Sequence, residues 1–72
     1  MAGPLNSVDI LVGKALTKQR HERRASVAEM AATLDLEPRV LRAIEAGQMR
    51  ASAHLLMRAS VRLNVPIAVF YE

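Results

Sequence analysis

The sequence predicts an all-α protein, a compact bundle of about five short helices. Three observations carry this reading. Hydrophobic residues, mostly Ala, Leu and Val, make up 51% of the 72 residues, and only Phe70 and Tyr71 are aromatic, a composition that favours close-packed short helices over a sheet. Apolar residues recur at three- and four-residue intervals, the period of a helix with one buried face. Side chains able to cap a helix, Asn6, Ser26 and Ser52, stand just ahead of these apolar runs.

Residues 1–6, with Gly3 and Pro4, show no periodicity and are expected to form a flexible N-terminal tail, leaving residues 7–72 as one domain. Asn6 is placed to cap a first helix, with Asp9 in its first turn, where a negative charge suits the macrodipole. Val8, Leu11, Val12, Ala15 and Leu16 share one face of that helix, which runs to about Arg23 and ends in a cationic cluster. Ser26-Val27-Ala28-Glu29 has the form of a capping box, in which the serine oxygen and the glutamate carboxylate each take a free amide, so a second helix starts near Val27. It buries Met30, Ala31 and Leu34 and stops before Asp35. Pro38 suits the first position of a third helix and biases Glu37 toward the extended conformation of a cap residue. This helix turns Leu41 and Ile44 inward and ends at Gly47, which can adopt a left-handed conformation. Ser52 caps a fourth helix, whose row Leu55, Leu56, Ala59 and Leu63 faces the core and whose terminator is Asn64. Residues 66–70 read as a closing helical turn, although Val65, Ile67, Val69 and Tyr71 also alternate as a strand would. Met30 and Met57 are expected as core fillers, and His21 and His54 on helix surfaces.

Several functional classes lose support from composition alone. The chain has no cysteine, and two histidines cannot close a zinc site by themselves, so no metal or other cofactor is expected. The uncharged stretch at residues 10–13 ends at Lys14, too short for a signal peptide or a membrane span, which points to a cytoplasmic protein without a membrane partner. No nucleophile lies near a base in the sequence and no glycine-rich phosphate loop is present, so enzymatic activity is not expected. The net charge of +3 permits an acidic partner. Its distribution is uneven: residues 1–25 hold five of the cations against two anions, whereas residues 26–51 hold three against four.

Two short helices joined by a tight turn form the geometry that lets the second protrude into a DNA major groove. The elements that sharpen this reading are Arg20 late in the first helix, the Ser26 cap before Met30-Ala31, Leu36 after the turn, Leu41 and Ile44, then Glu45-Ala46-Gly47, and beyond them Ser52, Leu55-Leu56, Leu63-Asn64-Val65 and Phe70-Tyr71. In this spacing, over residues 12–72, the chain resembles the lambda-repressor-like (Cro-type, xenobiotic-response-element) helix-turn-helix family. It departs from the family pattern at Val27, where a phosphate-binding Gln is common, at Asp35, which stands for a turn glycine, and at Glu37-Pro38-Arg39-Val40 in place of Gln, Ser or Thr.

The resemblance implies a set of DNA-contacting positions. Arg39 is placed for a bidentate contact to guanine, Arg42 for a base edge or phosphate, and Pro38, Val40 and Ala43 for thymine methyl groups. Ser26 is placed to donate to a phosphate, and Gln48 and Arg50 lie in the loop that reaches the DNA backbone. Arg23 and Arg24 add long-range attraction. Arg20 and Glu45 are expected to form a structural ion pair between the first and third helices. The function expected is that of a bacterial or phage transcriptional repressor, a homodimer on double-stranded DNA with a palindromic operator. The apolar stretch at residues 65–71, Phe70 included, is expected to contribute to the dimer contact. The alternative is a protein-interaction module or antagonist of another regulator that keeps the helix-turn-helix fold with weak or no DNA readout.

Overall fold

The structure is a computed structural model, and it describes residues 6–72. Residues 1–5, which make up most of the expected tail, lie outside the described residues. Four α-helices follow in order, α1 (Ser7–Glu22), α2 (Val27–Leu34), α3 (Pro38–Glu45) and α4 (Ala53–Leu63), and a 3-10 turn at Ile67–Tyr71 closes the chain. The architecture is all-helical, with the last of the expected elements a 3-10 turn and no strand among the described residues. An isolated extended segment would leave its backbone groups without partners, whereas the turn bonds Val69 N–H to the Pro66 carbonyl at 3.0 Å.

Helix starts follow local capping chemistry. Asn6 and Asp9 exchange reciprocal bonds of 3.0 Å, and Ser26 and Glu29 do the same at 3.0 and 2.8 Å, so α1 and α2 each begin with a complete capping box. Ser52 accepts the Leu55 N–H at 3.1 Å, while Glu37 makes no side-chain cap and Pro38 starts α3 through its fixed φ. Helix ends are equally local. Asp35 (φ 58°) closes α2 and Asn64 (φ 55°) closes α4, both left-handed, with Gly47 (φ 74°) in that region just beyond α3.

The core joins Val12 and Leu16 of α1, Met30, Ala31 and Leu34 of α2, Leu41 and Ile44 of α3, Leu55, Leu56, Ala59 and Leu63 of α4, and Phe70. Here α1 packs on α3 and on the closing turn, and α2 packs on both α3 and α4. The buried line of α1 is Asp9, Val12, Gly13, Leu16 and Gln19, so Val8, expected on the inward face, is exposed. The cause is Gly13: a Cβ there would collide with the Ile44 carbonyl oxygen, so α1 turns its glycine to α3 and approaches it backbone to backbone.

Two further expectations are corrected by the same packing. Met57 is 60% exposed, because α4 points Leu55, Leu56, Ala59 and Leu63 inward and leaves Met57 and Val61 on its outer side. Phe70, expected at a contact between copies, is fully buried within its own chain, where the closing turn packs on α1 and α4.

Candidate nucleic-acid interface

The second and third helices are joined by Asp35, Leu36 and Glu37. Asp35 N–H bonds the Ala32 carbonyl at 3.2 Å and Leu36 N–H bonds the Ala31 carbonyl at 2.8 Å, the double closure that ends α2 and redirects the chain. Leu36 packs against the core, so the turn is tied down by its side chain as well. This arrangement presents α3 with Leu41 and Ile44 inward and Pro38, Arg39, Arg42 and Ala46 outward in solvent. The i, i+3, i+7 spacing of 39, 42 and 46 places them on one exposed stripe.

The candidate residues differ in how free they are. Arg42 has no hydrogen-bond or ion-pair partner among the described residues and is exposed. Arg39 is held through Nε by Glu37 at 2.7 Å, a pair with both side chains well exposed and therefore of little energetic weight. Val40 and Ala43 are half-buried, Val40 against the core, so they offer only part of their surface. Ser26 spends its oxygen as an acceptor in the capping box. Gln48 is exposed in the segment after α3. Arg50, in the same segment, donates from Nε to Asp9 at 3.0 Å.

Behind this surface lies the Arg20–Glu45 pair. Arg20 donates Nε to Oε2 and Nη2 to Oε1, each at 2.9 Å, a side-on bidentate geometry, and its Nη1 reaches the Ala25 carbonyl at 3.2 Å. The two side chains are only 15% and 10% exposed. Hydrogen bonding to Glu45 raises the Arg20 pKa above its ordinary value, against the opposing effect of burial. One guanidinium thus joins α1, the α1–α2 turn and the last residue of α3.

Three other arginines serve helix ends. Arg58 donates to the Leu34 carbonyl at 3.0 Å and Arg62 to the Thr33 carbonyl at 2.8 Å, so α4 covers the free carbonyls at the end of α2. Arg23 bonds the Leu63 carbonyl at 2.7 Å, joining α1 to the end of α4. Sequence reasoning assigns Arg23 to long-range attraction and misses the other two, although their i, i+4 spacing on α4 puts them on one face. It also misses Asp9 as a buried partner and Gly13 as a contact point; an isolated glycine inside a helical pattern is the available signal.

Comparison with protein-family models and with curated proteins finds no match. Among solved structures, the chain is similar to ClgR, a clp gene regulator from C. glutamicum, with a TM-score of 0.81 and 23% identity over 90% of this chain and 84% of that one. The fold is a helix-turn-helix. In it α2 is the supporting helix and α3 the outward one, and among the described residues no helix is long and apolar enough to cross a membrane.

Proposed function

We propose that this chain is a sequence-specific DNA-binding transcriptional regulator of the lambda-repressor-like, Cro-type class, acting in the cytoplasm as a repressor and binding a palindromic operator as a homodimer. The observation that carries the reading is the outward stripe of α3, where Arg39 and Arg42 stand exposed on a helix held rigidly from behind by Leu41, Ile44 and the Arg20–Glu45 pair. Two such helices related by a two-fold axis read half-sites about 34 Å apart in successive major grooves. Arg39 supplies a fork for guanine, Arg42 a base or phosphate contact, and Arg50, Gln48 and Ser26 contacts to the DNA backbone. Pro38 and the open parts of Val40 and Ala43 meet thymine methyl groups. Occupancy of a promoter by the dimer then excludes polymerase. Likeness to the fold of a gene regulator supports the same class.

A pull-down of genomic fragments at about physiological salt, followed by sequencing, tests the proposal. Enrichment of a palindrome with half-sites one helical turn apart is the expected result. Recovery of no sequence above background removes it.

One observation favours a second reading, a protein-interaction module that pairs with another regulator: Glu37 stands at the head of α3 and engages Arg39, so the reading position carries a carboxylate that repels phosphate. Salt separates the two readings. DNA binding through several phosphates weakens steeply as salt rises, and an apolar protein interface does not.

A further inference from the structure

Asp9 is more deeply buried than helix capping requires. Its side chain is 10% exposed, whereas Glu29, which holds the equivalent place in the capping box of α2, stands in solvent. A carboxylate withdrawn from water is tolerated when its oxygens are bonded. Here both are: Oδ2 accepts the Asn6 N–H and Oδ1 accepts Arg50 Nε–H, each at 3.0 Å. The second of these bonds spans 41 residues and ties the first turn of α1 to the segment between α3 and α4.

The bond leaves Arg50 in a particular state. Holding Nε against a fixed carboxylate sets the plane of the guanidinium, while the side chain remains 45% exposed. Among the described residues its two terminal nitrogens have no protein acceptor, so their N–H groups are open to an external anion. A free arginine loses much rotamer freedom when it grips a phosphate. Arg50 has already lost part of that freedom on folding.

We infer that Asp9 is a positioning residue, which holds Arg50 so that its terminal nitrogens face a DNA phosphate at the end of the α3 surface. This inference rests on the DNA-binding reading above. Two effects of Asp9 oppose each other. Its charge repels phosphate, but it acts from behind a guanidinium and through solvent, where screening is strong. Its orienting bond acts on a charge-assisted hydrogen bond at contact distance, which is the larger effect.

The test uses the 72-residue chain and a short mixed-sequence duplex, because phosphate contacts need no operator. Asp9→Asn, Arg50→Ala and the double variant are titrated at two salt concentrations. Asp9→Asn raises the net charge by one, so charge alone predicts tighter binding. Positioning predicts binding about three- to tenfold weaker, a salt slope flatter by up to about one, and no further loss when Arg50 is already Ala. The carboxamide oxygen that this substitution leaves at position 9 still accepts the Asn6 N–H, which preserves the cap. Arg50→Lys is the second variant: it keeps the charge with Asp9 intact but loses the fork, and is expected to bind more weakly than the parent though more tightly than Arg50→Ala.

Asp9→Asn binding as tightly as the parent or tighter overturns the inference, as does an equal loss in the Arg50→Ala background or an Arg50→Lys protein that matches the parent. If Arg50→Ala alone weakens binding, positioning fails while the DNA reading stands. A parent chain that does not bind the duplex even at low salt overturns both.

Discussion

Gly13 of α1 lies directly against the backbone carbonyl of Ile44 in α3, with no room for a methyl group between them. In an exposed helix, Gly→Ala stabilises by about 1 kcal/mol. Here the sign reverses, because the obstacle is backbone and not a side-chain end that can swing aside. Gly13→Ala is expected to destabilise by ~1–3 kcal/mol, the usual cost of overpacking. Equilibrium urea unfolding measures it, and a variant more stable than the parent would show that the two helices can part at no cost.

The Arg20–Glu45 pair is mostly buried and bidentate, so removing one partner costs more than a surface ion pair. Glu45→Ala is expected to lose ~2–4 kcal/mol, since Arg20 keeps the Ala25 carbonyl and the neighbouring His21 ring nitrogen but no compensating charge. In a domain of this size each kcal/mol shifts Tm by about 4–8 °C. A thermal melt lowered by less than ~4 °C would place the pair with ordinary surface pairs.

Glu29 gives a pH dependence of known sign. Bonding to Ser26, chiefly to its backbone N–H, holds the Glu29 carboxyl below its ordinary value of 4.5. A group whose folded pKa is depressed stabilises the fold above the unfolded pKa and loses that contribution as pH falls through the folded value. Its share of stability is therefore complete at neutral pH and lost progressively below 4.5. Glu29→Gln keeps a capping-box acceptor that does not titrate, so melts at about pH 7 and about pH 3 should differ less for the variant than for the parent. Equal differences would separate Glu29 from the acid response.

The closing turn divides its apolar residues between core and surface. Phe70 is fully buried, so Phe70→Asp is expected to unfold the chain by placing an unpaired charge in the core. Ile67 and Tyr71 are exposed and available to a second copy of the chain. If the proposed homodimer uses this face, Ile67→Asp should stay folded, sediment as a monomer and melt as the parent does only at concentrations where the parent is itself monomeric. Dimers that persist would move the contact to another face.

Arg39 and Arg50 are expected to differ in what they lose. Arg39→Ala should cost ~1–3 kcal/mol on a cognate duplex and relax preference at one base pair per half-site, with little effect on scrambled DNA. Arg50→Ala should weaken both duplexes alike. Equal weakening by Arg39→Ala would make its contact a phosphate contact.

The helices and their ends are legible in the sequence because capping is local. Asn6 with Asp9, Ser26 with Glu29, Pro38 and Asn64 each act within four residues, and their identities place the starts of α1, α2 and α3 and the end of α4. The outward stripe of α3 is legible for the same reason, since Leu41 and Ile44 define its opposite face. What stays hidden depends on how helices cross. The rotation of α1 that exposes Val8 and buries Asp9 follows from one contact at Gly13, and the carbonyl partners of Arg23, Arg58 and Arg62 are 24 or more residues away. On α4 periodicity names the buried row Leu55, Leu56, Ala59 and Leu63 correctly, and Met57, off that row, is expected inside on its apolar character alone.

The turn between α2 and α3 has a bearing on how this molecule can change. Asp35 and Leu36 fix its direction through backbone bonds to Ala31 and Ala32 and through the packing of Leu36, none of which involves the outward side chains of α3. With Pro38 kept to start the helix, positions 39, 42 and 46 can therefore be randomised as a library while the angle at which they are presented stays constant. If α3 reads DNA as proposed, new targets are reachable by exchanging a few exposed side chains, without redesign of the scaffold that carries them.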